Sequence, residues 1–330
     1  MPSFTAYKGS KSGKIVTSST TKPELSGDQC LIRITASGLC GTDIHFLEMD
    51  MVLGHEGVGI IEETGPGVQY LKKGERVGWG YEHNSCGHCE QCLKGEETYC
   101  SERAMYGEAD LDQGSFAEQA VWREAFLFKI PAEFSDEEAA PMMCGGATVF
   151  NALHGYNVQP TEAVGIMGVG GLGHLAIQFA AKMGCDVVVL SGSDRKKEEA
   201  LKLGAKEFIA TKGAKELKVA RPLNRLLVTT SAQPDWNLII PILAPGATIH
   251  PLSVDEGNFS IPYMPMILNG ITVQGSVVAS RYIHNRMLTF AALHGIKPII
   301  ETFPMGEKGL TDAIEKLNKG EVRYRAVLKA

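Results

Sequence analysis

The sequence predicts an α/β protein in which a doubly wound parallel sheet is combined with a second, β-rich domain. Three observations support this prediction. The chain has 330 residues, more than one hydrophobic core usually fills, so two domains are expected. Short strand-like runs separated by turns follow Cys30, whereas strands and helices alternate after Pro141. Within the alternating part, a glycine-rich turn joins a strand to a helix, as in the units that build parallel sheets.

The two kinds of pattern can be followed along the chain. Residues 30–38 (CLIRITASG) and 55–65 (HEGVGIIEETG) are strand-like, and PG, KKG and GWG turns separate such runs. Residues 163–205 then read strand, glycine turn, helix, strand, turn, helix, which is a βαβ unit. Further strands of a parallel sheet are predicted from apolar runs at 225–230, 247–251 and 271–275.

The change of pattern sets the predicted domain boundaries. We place the parallel-sheet domain at residues 148–275 and the β-rich domain at residues 1–147 and 276–330. The C-terminal stretch ends in a helix-like run, TDAIEKLNKG, and a strand-like run, VRYRAVLKA. We expect both runs to pack back on the β-rich domain.

Charge and hydropathy exclude several classes of partner. A net charge of −6 and a pI near 5.9 provide neither a basic stripe for nucleic acid nor a polybasic segment for anionic membranes. The first residues, MPSFTAYKGSKSGKIV, contain no apolar signal-peptide core, and no run of about 18 apolar residues occurs. We therefore expect a cytoplasmic protein whose eight cysteines serve metal binding or catalysis rather than disulfides.

Four cysteines within residues 83–101 form the most specific motif. They have the spacing C-x2-C-x2-C-x7-C, which lets one loop surround a tetrahedral ion, and they are Cys86, Cys89, Cys92 and Cys100. An iron–sulfur cluster accepts similar spacing, but nothing else in the sequence indicates one-electron chemistry; unrelated surface thiols are the remaining alternative. We predict a structural zinc, because four thiolates leave no coordination position for a substrate.

The glycine-rich turn follows an apolar strand at 163–167 and opens the next helix. Its residues are Gly168, Gly170, Gly171, Leu172 and Gly173. In this context the pattern is the fingerprint of a Rossmann dinucleotide-binding domain, because glycines let the backbone turn tightly and approach a pyrophosphate at the helix N-terminus. A glycine turn that binds nothing is the alternative.

The end of the second predicted strand favours NADP over NAD. An NAD-binding domain normally has Asp or Glu there for the ribose hydroxyls, and this chain has Ser191. Hydroxyl and cationic side chains suited to a 2′-phosphate follow it, namely Ser193, Arg195, Lys196 and Lys197. Asp194 offers an NAD-like alternative if it reaches the ribose, and the run RKKEE would also suit a solvated helical turn.

Two further motifs place metal-ligand residue types among glycines. Residues 38–45 read GLCGTDIH and residues 54–57 read GHEG, so thiolate, imidazole and carboxylate groups lie in one short segment. Any one of these side chains alone would more often be a packed core residue. The two motifs together predict a second metal site.

At this point the chain resembles the zinc-containing medium-chain alcohol dehydrogenases, and among them the cinnamyl alcohol dehydrogenase-like branch. All the motifs above occur in the family's order, together with PMMCGGAT at 141–148 and VRYR at 322–325. The resemblance implies that the β-rich domain is a GroES-like catalytic domain with a structural zinc lobe, and that the parallel-sheet domain binds NADP. It implies a homodimer joined through an edge strand, here expected near 271–276.

The resemblance also assigns roles to individual residues. Cys40, His55 and Cys144 would bind a catalytic zinc, Glu56 could approach that metal, and Asp43 would orient the zinc-bound histidine. Thr42 would pass a proton through the cofactor ribose toward His45. Thr148 would lie beside the nicotinamide, and Arg325 would contact the pyrophosphate. The substrate cleft would be lined by Trp79, Met142, Phe150 and Val278. A surface position would equally explain His45, and ordinary core packing would explain the apolar residues.

The expected function is that of a zinc-dependent, NADP(H)-linked alcohol dehydrogenase or aldehyde reductase with two Zn²⁺ per chain. Its substrates would be primary alcohols and aldehydes, aromatic or allylic ones among them. The alternatives are a secondary-alcohol or polyol dehydrogenase, a zinc-free enoyl or quinone reductase, and a non-catalytic binding module. Only nine residues, 46–54, separate His45 from His55, so the loop is shorter than the branch usually carries. A more open or reshaped pocket is expected, which weakens the transfer of specificity for aromatic alcohols.

Overall fold

The computed structural model describes residues 1–255 and 257–330, which divide into two compact units. The first unit comprises Met1–Ala147 and Val278–Ala330, and the second comprises Thr148–Val277. The first is rich in antiparallel strands and the second holds a parallel sheet with helices, so the predicted α/β fold class is confirmed. Assigning catalysis to one unit and NADP to the other stays a prediction.

The N-terminal part of the first unit is built from strands joined by short helices. The strands are β1 (Ser3–Lys8), β2 (Val16–Thr21), β3 (Gln29–Leu39), β4 (Gly57–Thr64), β5 (Arg76–Trp79), β6 (Glu82–Asn84), β7 (Ala104–Met105), β8 (Gln119–Arg123) and β9 (Phe128–Lys129). The long strand β3 pairs antiparallel with both β4 and β8. Its alternate residues Ile32 and Ile34 pack in one core cluster with Val77 and Trp79 of β5, because side chains two apart on a strand share a face.

The helices of this part are short. They are α1 (Gly41–His45), α2 (Glu90–Leu93) and α3 (Asp136–Ala139), with 3-10 turns at Glu97–Tyr99, Glu124–Phe126 and Ala140–Met143. Helix α4 (Gly145–Phe150) begins at the end of this part and continues into the second unit, where a π turn follows at Asn151–Gly155. At α3, the Ser135 hydroxyl accepts from the Glu138 N–H at 3.2 Å, and the Glu138 carboxylate accepts from the Ser135 N–H at 3.0 Å. This reciprocal capping satisfies two N–H groups and explains why the helix begins there.

The second unit is a parallel six-stranded sheet with helices between the strands. Its elements are β10 (Ala163–Met167), α5 (Gly173–Lys182), β11 (Asp186–Ser191), α6 (Lys197–Lys202), β12 (Glu207–Ala210), β13 (Leu223–Val228), α7 (Trp236–Ile239), β14 (Leu243–Pro251), α8 (Tyr263–Asn269) and β15 (Thr272–Val273), with 3-10 turns at Asp194–Lys196 and Ile240–Ile242. The strand order is β12-β11-β10-β13-β14-β15. The central strand β10 is apolar and buried along almost its whole length, as expected of a parallel strand covered on both faces.

The chain then returns to the first unit. It forms α9 (Arg281–His294), β16 (Ile300–Pro304), α10 (Glu307–Asn318) and β17 (Arg325–Lys329). Strand β17 pairs antiparallel with β3, and α10 buries Leu310 and Ile314 in a core cluster with Leu39 and Leu328. The C-terminal helix and strand thus pack on the β-rich unit. In residues 1–255 and 257–330, no helix combines the length and apolar character that crossing a membrane requires.

Candidate active site

Four side chains with metal-binding atoms converge in the first unit. The ligand atoms of Cys40, His55, Glu56 and Cys144 all lie within 4.8 Å of one another. Cys40 immediately precedes α1, His55 and Glu56 immediately precede β4, and Cys144 immediately precedes α4. Residues far apart in the sequence therefore supply one group of donors, and His55, Glu56 and Cys144 are buried.

The orientation of His55 fits a bound metal ion. Its Nδ1 lies 2.9 Å from the Asp43 carboxylate oxygen Oδ1, whereas its Nε2 is buried and has no hydrogen-bond partner among the described residues. Buried ring nitrogens are rarely left without a partner. A histidine held by a carboxylate at one nitrogen with the other facing thiolates is the arrangement expected of a zinc ligand.

Asp43 holds several groups of the site together. Besides His55, its Oδ1 accepts from the Tyr106 hydroxyl at 2.8 Å and the Gly54 N–H at 3.2 Å, and its Oδ2 accepts from the Cys40 N–H at 2.9 Å. Burial and the charge of Asp43 hold the pKa of Tyr106 well above its usual value, so the hydroxyl remains a donor. Tyr106 belongs to no motif, so its contact with Asp43 could not be predicted from the sequence.

Glycine is required at two backbone positions next to this cluster. Gly54 has φ +91°, and a Cβ there would come within 2.5 Å of the Ser115 hydroxyl and 2.6 Å of the Phe116 ring. A Cβ at Gly38 would lie 1.8 Å from the Glu56 carboxylate. The glycines of the two motifs therefore make room for the packing around His55 and Glu56.

The electrostatics of the cluster suit a cation. The hydrogen bond from Cys144 lowers the pKa of the Cys40 thiol well below its usual value despite burial, and it raises that of Cys144. Burial alone would lower the pKa of His55, but Asp43 and Cys40 outweigh burial, so the pKa of His55 lies well above its usual value. Burial raises the pKa of Glu56 to about 7, although the charge of Arg325 opposes this rise. A divalent ion would allow both sulfurs to be thiolates at neutral pH, since metal ligation requires the deprotonated form.

Arg325 lies against Glu56. Both oxygens of the Glu56 carboxylate accept from the Arg325 guanidinium, and both side chains are buried. The family resemblance predicts that Arg325 contacts the cofactor pyrophosphate, and in the structure its guanidinium pairs with the Glu56 carboxylate. Its pyrophosphate contact stays a prediction, and the ion pair with Glu56 is the role that the structure supplies.

The predicted proton route is only partly assembled. Thr42 lies on α1, with its hydroxyl oxygen 3.7 Å from the Cys40 sulfur, and is thus next to the metal cluster. His45 is exposed at the other end of the same helix. The structure gives Thr42 a place at the cluster and His45 a place at the surface, and the transfer between them stays a prediction.

Residues 83–101, called the metal lobe below, contain four cysteines whose side chains also converge. Cys86, Cys89, Cys92 and Cys100 are free thiols whose sulfur atoms lie within 4.8 Å of one another. Two sulfur–sulfur distances are 3.6 and 3.9 Å. Sulfurs at the corners of a tetrahedron with Zn–S bonds near 2.3 Å are about 3.8 Å apart, so the lobe fits a zinc ion.

Backbone N–H groups point at sulfur in the lobe, as they do where thiolates carry charge. The Cys89 N–H donates to the Cys86 sulfur and the Glu102 N–H to the Cys100 sulfur, each at 3.3 Å. The N–H groups of His88 and Cys89 lower the pKa of Cys86 to about 6. A structural metal is therefore compatible with both the geometry and the electrostatics of the lobe.

The glycine turn lies between β10 and α5, as predicted. Gly168 has φ +98°, and a Cβ at Gly173 would lie 2.0 Å from the Gly168 carbonyl oxygen, so strand and helix can approach closely only with glycine at both positions. At Gly170 a Cβ would meet nothing within 4 Å, which leaves the backbone open to a ligand. Gly171 and Leu172 complete the turn, and Leu172 is the last residue before α5.

The predicted 2′-phosphate residues lie beside this turn. Ser191 ends β11, and the Lys196 ammonium donates to the Val169 carbonyl oxygen in the glycine turn at 2.7 Å. The Arg195 guanidinium approaches the Ser193 hydroxyl at 3.4 Å. The structure thus brings the turn and the segment 191–196 together in the second unit, as a dinucleotide site requires.

The remaining predicted residues have packing explanations of their own. Trp79 is fully buried in the core cluster of the first unit, against Trp122 at a centroid distance of 5.5 Å, and Met142 is fully buried too. In the second unit Phe150 packs edge-on against Phe179, and Thr148 is buried. Val278 has φ +44°, which is unusual for a β-branched residue. Their substrate and cofactor contacts stay predictions.

Comparisons with known proteins cover nearly the whole chain. Residues 26–132 match the family described as Alcohol dehydrogenase GroES-like domain, and residues 171–293 match the Zinc-binding dehydrogenase family. An alcohol dehydrogenase of Geobacillus stearothermophilus is 37% identical over 322 residues, which cover 93% of this chain and 94% of that protein.

Two solved structures are similar over their full length. A cinnamyl alcohol dehydrogenase of Sorghum bicolor has a TM-score of 0.90 at 30% identity, with 99% of this chain and 98% of that chain covered. The structure of CAD from Helicobacter pylori complexed with NADP(H) has a TM-score of 0.89 at 25% identity, with the same coverage, 99% and 98%.

Proposed function

Because the chain belongs to the zinc-containing medium-chain alcohol dehydrogenase family, we propose that it interconverts primary alcohols and aldehydes with NADP(H) and a catalytic zinc. One observation carries the proposal. Cys40, His55 and Cys144 converge in the same unit as the cysteine-rich metal lobe, and the Nε2 atom of His55 is buried with no hydrogen-bond partner among the described residues. Three protein ligands with one position left for a substrate are typical of catalytic zinc sites.

Each side chain has a defined task in this proposal. Cys40, His55 and Cys144 would hold the zinc, which when bound would supply a Lewis acid for the substrate oxygen, and a bound nicotinamide would carry the hydride. Asp43 accepts a hydrogen bond from the Nδ1–H group of His55 and so keeps Nε2 free to bind metal. The Thr42 hydroxyl would accept the proton released from the substrate hydroxyl while donating its own to the ribose of a bound cofactor, and His45 would return a proton from the ribose to solvent.

Glu56 and Arg325 form the back of the proposed site. Glu56 lies among the ligand atoms, and Arg325 balances its charge in a buried position. We propose that Glu56 can approach the metal during ligand exchange and that Arg325 limits this by holding its carboxylate. The cysteines of the metal lobe hold a second, structural zinc, which brings the total to two Zn²⁺ per chain.

The test of the metal assignment uses single substitutions. Cys40→Ser and Cys144→Ser are expected to lower the zinc content from two ions per chain to one and to abolish alcohol and aldehyde turnover. Binding of NADPH, followed by its fluorescence, should be retained because the glycine turn is untouched. Elemental analysis that finds two zinc ions in both variants, together with full activity, would contradict the mechanism.

NADP as the preferred cofactor is supported by the chemistry of residues 191–196. Ser191 replaces an acidic residue that would repel a 2′-phosphate, and Lys196 places a cation beside the glycine turn. The Helicobacter pylori protein with NADP(H) bound has a similar fold. Steady-state kinetics with both cofactors decide the question, and a higher kcat/KM with NAD would refute this choice.

The substrate class is proposed from the relatives, which are named as alcohol and cinnamyl alcohol dehydrogenases. The short loop at 46–54 keeps secondary alcohols and polyols as the second candidate, because fewer residues are available to narrow the site. A panel of primary, secondary, allylic and aromatic alcohols, compared by kcat/KM, separates the two. Higher kcat/KM for secondary alcohols throughout the panel would favour the second candidate.

We also propose that the protein is a cytoplasmic homodimer. Strand β15 is the edge of the parallel sheet, and the preceding helix α8 exposes four apolar side chains, Tyr263, Met264, Ile267 and Leu268. An edge strand beside exposed apolar residues suits pairing with a second copy. Light scattering at micromolar concentration is expected to give twice the chain mass, and replacing Ile267 by Glu should shift it toward the monomer.

A further inference from the structure

A buried carboxylate of the metal lobe accepts hydrogen bonds from a helix that is remote in sequence. Glu97 is only 2% exposed and begins the 3-10 turn that leads to Cys100. Its Oε1 accepts two hydrogen bonds from Arg281, one from the backbone N–H at 2.6 Å and one from the guanidinium Nε at 3.0 Å. The metal lobe and the first residue of α9 are therefore joined directly, within the first unit.

This contact satisfies and neutralises the beginning of α9. The first N–H groups of a helix have no partner within the helix, and a negative charge next to them is favourable. The Ser280 hydroxyl accepts from the Ile283 N–H at 3.5 Å, while the Glu97 carboxylate serves the N–H of Arg281. Two caps, one local and one from the metal lobe, thus define where the helix begins.

The contact between Glu97 and Arg281 is called the anchor below. The Arg281 side chain extends it to a third segment, residues 125–126. Its NH1 group donates to the Ala125 carbonyl oxygen at 3.4 Å, and its guanidinium lies 4.9 Å from the centre of the Phe126 ring. An arginine with both a carboxylate and an aromatic partner has little freedom to move. Glu97 consequently holds a residue that is already confined on its other side.

The residues just before α9 are strained and packed. Val278 has φ +44°, and Ala279 and Ser280 are only 7% and 6% exposed. A β-branched residue in this conformation persists only where its surroundings impose it, and such positions cluster at functional sites. Only residues 279 and 280 separate Val278 from the anchored Arg281, so the anchor lies close enough to impose the turn.

A second carboxyl group, that of Glu82, is affected by the charge of Glu97. Burial, followed by the charge of Glu97, raises the pKa of Glu82 to about 8. One Glu82 oxygen is buried without a hydrogen-bond partner among the described residues. The charges of Arg281 and Arg103 oppose this rise in pKa only in part, so the neutral form of Glu82 is favoured beside the Glu97 carboxylate.

We infer that Glu97 is a positioning residue that fixes the beginning of α9 and thereby holds the 278–280 turn in its strained form. Through this contact the metal lobe shapes the segment that contains Val278, a residue that the family resemblance places in the substrate cleft. The inference rests on the proposed function only for the role of Val278. The anchoring itself concerns residues 97 and 278–281 alone.

The test compares Glu97→Ala, Glu97→Gln and Arg281→Ala in the full-length, zinc-loaded protein. Amide hydrogen exchange in peptides covering residues 278–290 is expected to be about fivefold to tenfold faster in Glu97→Ala, the size of effect that losing a helix cap produces. KM for the substrate and NADPH should rise by a similar factor while kcat changes less than about twofold. Glu97→Gln should recover part of both effects, because its amide oxygen can still accept from Arg281.

Controls separate positioning from a merely structural role. Glu96→Gln removes an exposed carboxylate from the same lobe and should behave as wild type. Arg281→Ala leaves the lobe intact and removes the guanidinium but keeps the backbone N–H that Glu97 accepts from, so it should raise exchange and KM less than Glu97→Ala does, with two zinc ions still bound. Normal exchange at 278–290 in Glu97→Ala, or normal KM values in both variants, would overturn the inference. A wild-type protein without NAD(P)-linked turnover would instead refute the proposed function, and hydrogen exchange would still test the anchor.

Discussion

Replacing Asp43 by Asn is expected to weaken the proposed catalytic metal site. In the wild-type protein one carboxylate oxygen accepts from His55, Tyr106 and Gly54, and the other accepts from the Cys40 N–H. An Asn side chain has one oxygen and one NH2 group. If its oxygen takes the position of Oδ1, its NH2 group faces the Cys40 N–H, and that buried donor loses its acceptor.

The expected size of the effect follows from these contacts. A buried donor left without an acceptor costs about 1–3 kcal/mol. Removing the partner of a metal-bound histidine lowers metal affinity or activity roughly 10–100-fold, which at about 1.4 kcal/mol per tenfold is 1.4–2.8 kcal/mol. The two ranges agree, so we expect zinc affinity and kcat/KM of Asp43→Asn to fall by about 10–100-fold.

The assay is competition for zinc with a chromophoric chelator, alongside steady-state kinetics. Tyr106→Phe is the matched variant, because it removes one of the three donors to Oδ1 and leaves the charge and the bond to His55. Its zinc affinity is expected to fall by less than about tenfold. Wild-type zinc affinity in Asp43→Asn, or equal losses in the two variants, would refute the reasoning that the Asp43 charge orients His55.

Three further predictions follow from other parts of the structure. Arg325→Gln leaves Glu56 buried without its cation and should lower the free energy of unfolding, measured in urea, by about 3–5 kcal/mol. Combining Arg325→Gln with Glu56→Gln should recover most of that stability. An equal loss of stability in the double variant would contradict the ion-pair explanation. Glu82 has a folded pKa of about 8 against an ordinary 4.5, so the folded state binds the extra proton between these values and wild-type stability should fall as pH rises through that window. Glu82→Gln should reduce that fall by up to about 3 kcal/mol between pH 5 and pH 8, and an unchanged pH profile would show that Glu82 is ionised throughout. Ser191→Asp should raise KM for NADP at least about tenfold while improving that for NAD, and unchanged cofactor kinetics would place the 2′-phosphate elsewhere.

The features that could be predicted from the sequence are those built from neighbouring residues. The four cysteines of the lobe span 15 residues, from 86 to 100, and their spacing alone allows one loop to surround an ion. The glycine turn follows from the strand before it and the helix after it, and the structure places it between β10 and α5. The parallel sheet was predicted from apolar runs, although β15 has only two paired residues where a longer run was expected.

Other parts of the site depend on strand pairing that no local pattern specifies. Tyr106 reaches Asp43 across 63 residues, Arg281 reaches Glu97 across 184, and Arg325 reaches Glu56 across 269. Arg325 was predicted at a cofactor phosphate, and its partner in the structure is a carboxylate. The pairing of Ala326 with Leu39 on β3 brings the beginning of β17 close to the metal cluster.

The sequence by itself therefore determined the fold class, the family and the chemical types of the metal ligands. These depend on hydrophobic period, glycine placement and ligand spacing, all of which act over a few residues. Only the tertiary structure decided which groups orient those ligands. Strand register and core packing are set by contacts across the whole chain, and shifting β17 by one residue would turn Arg325 away from Glu56 to the other face of the sheet.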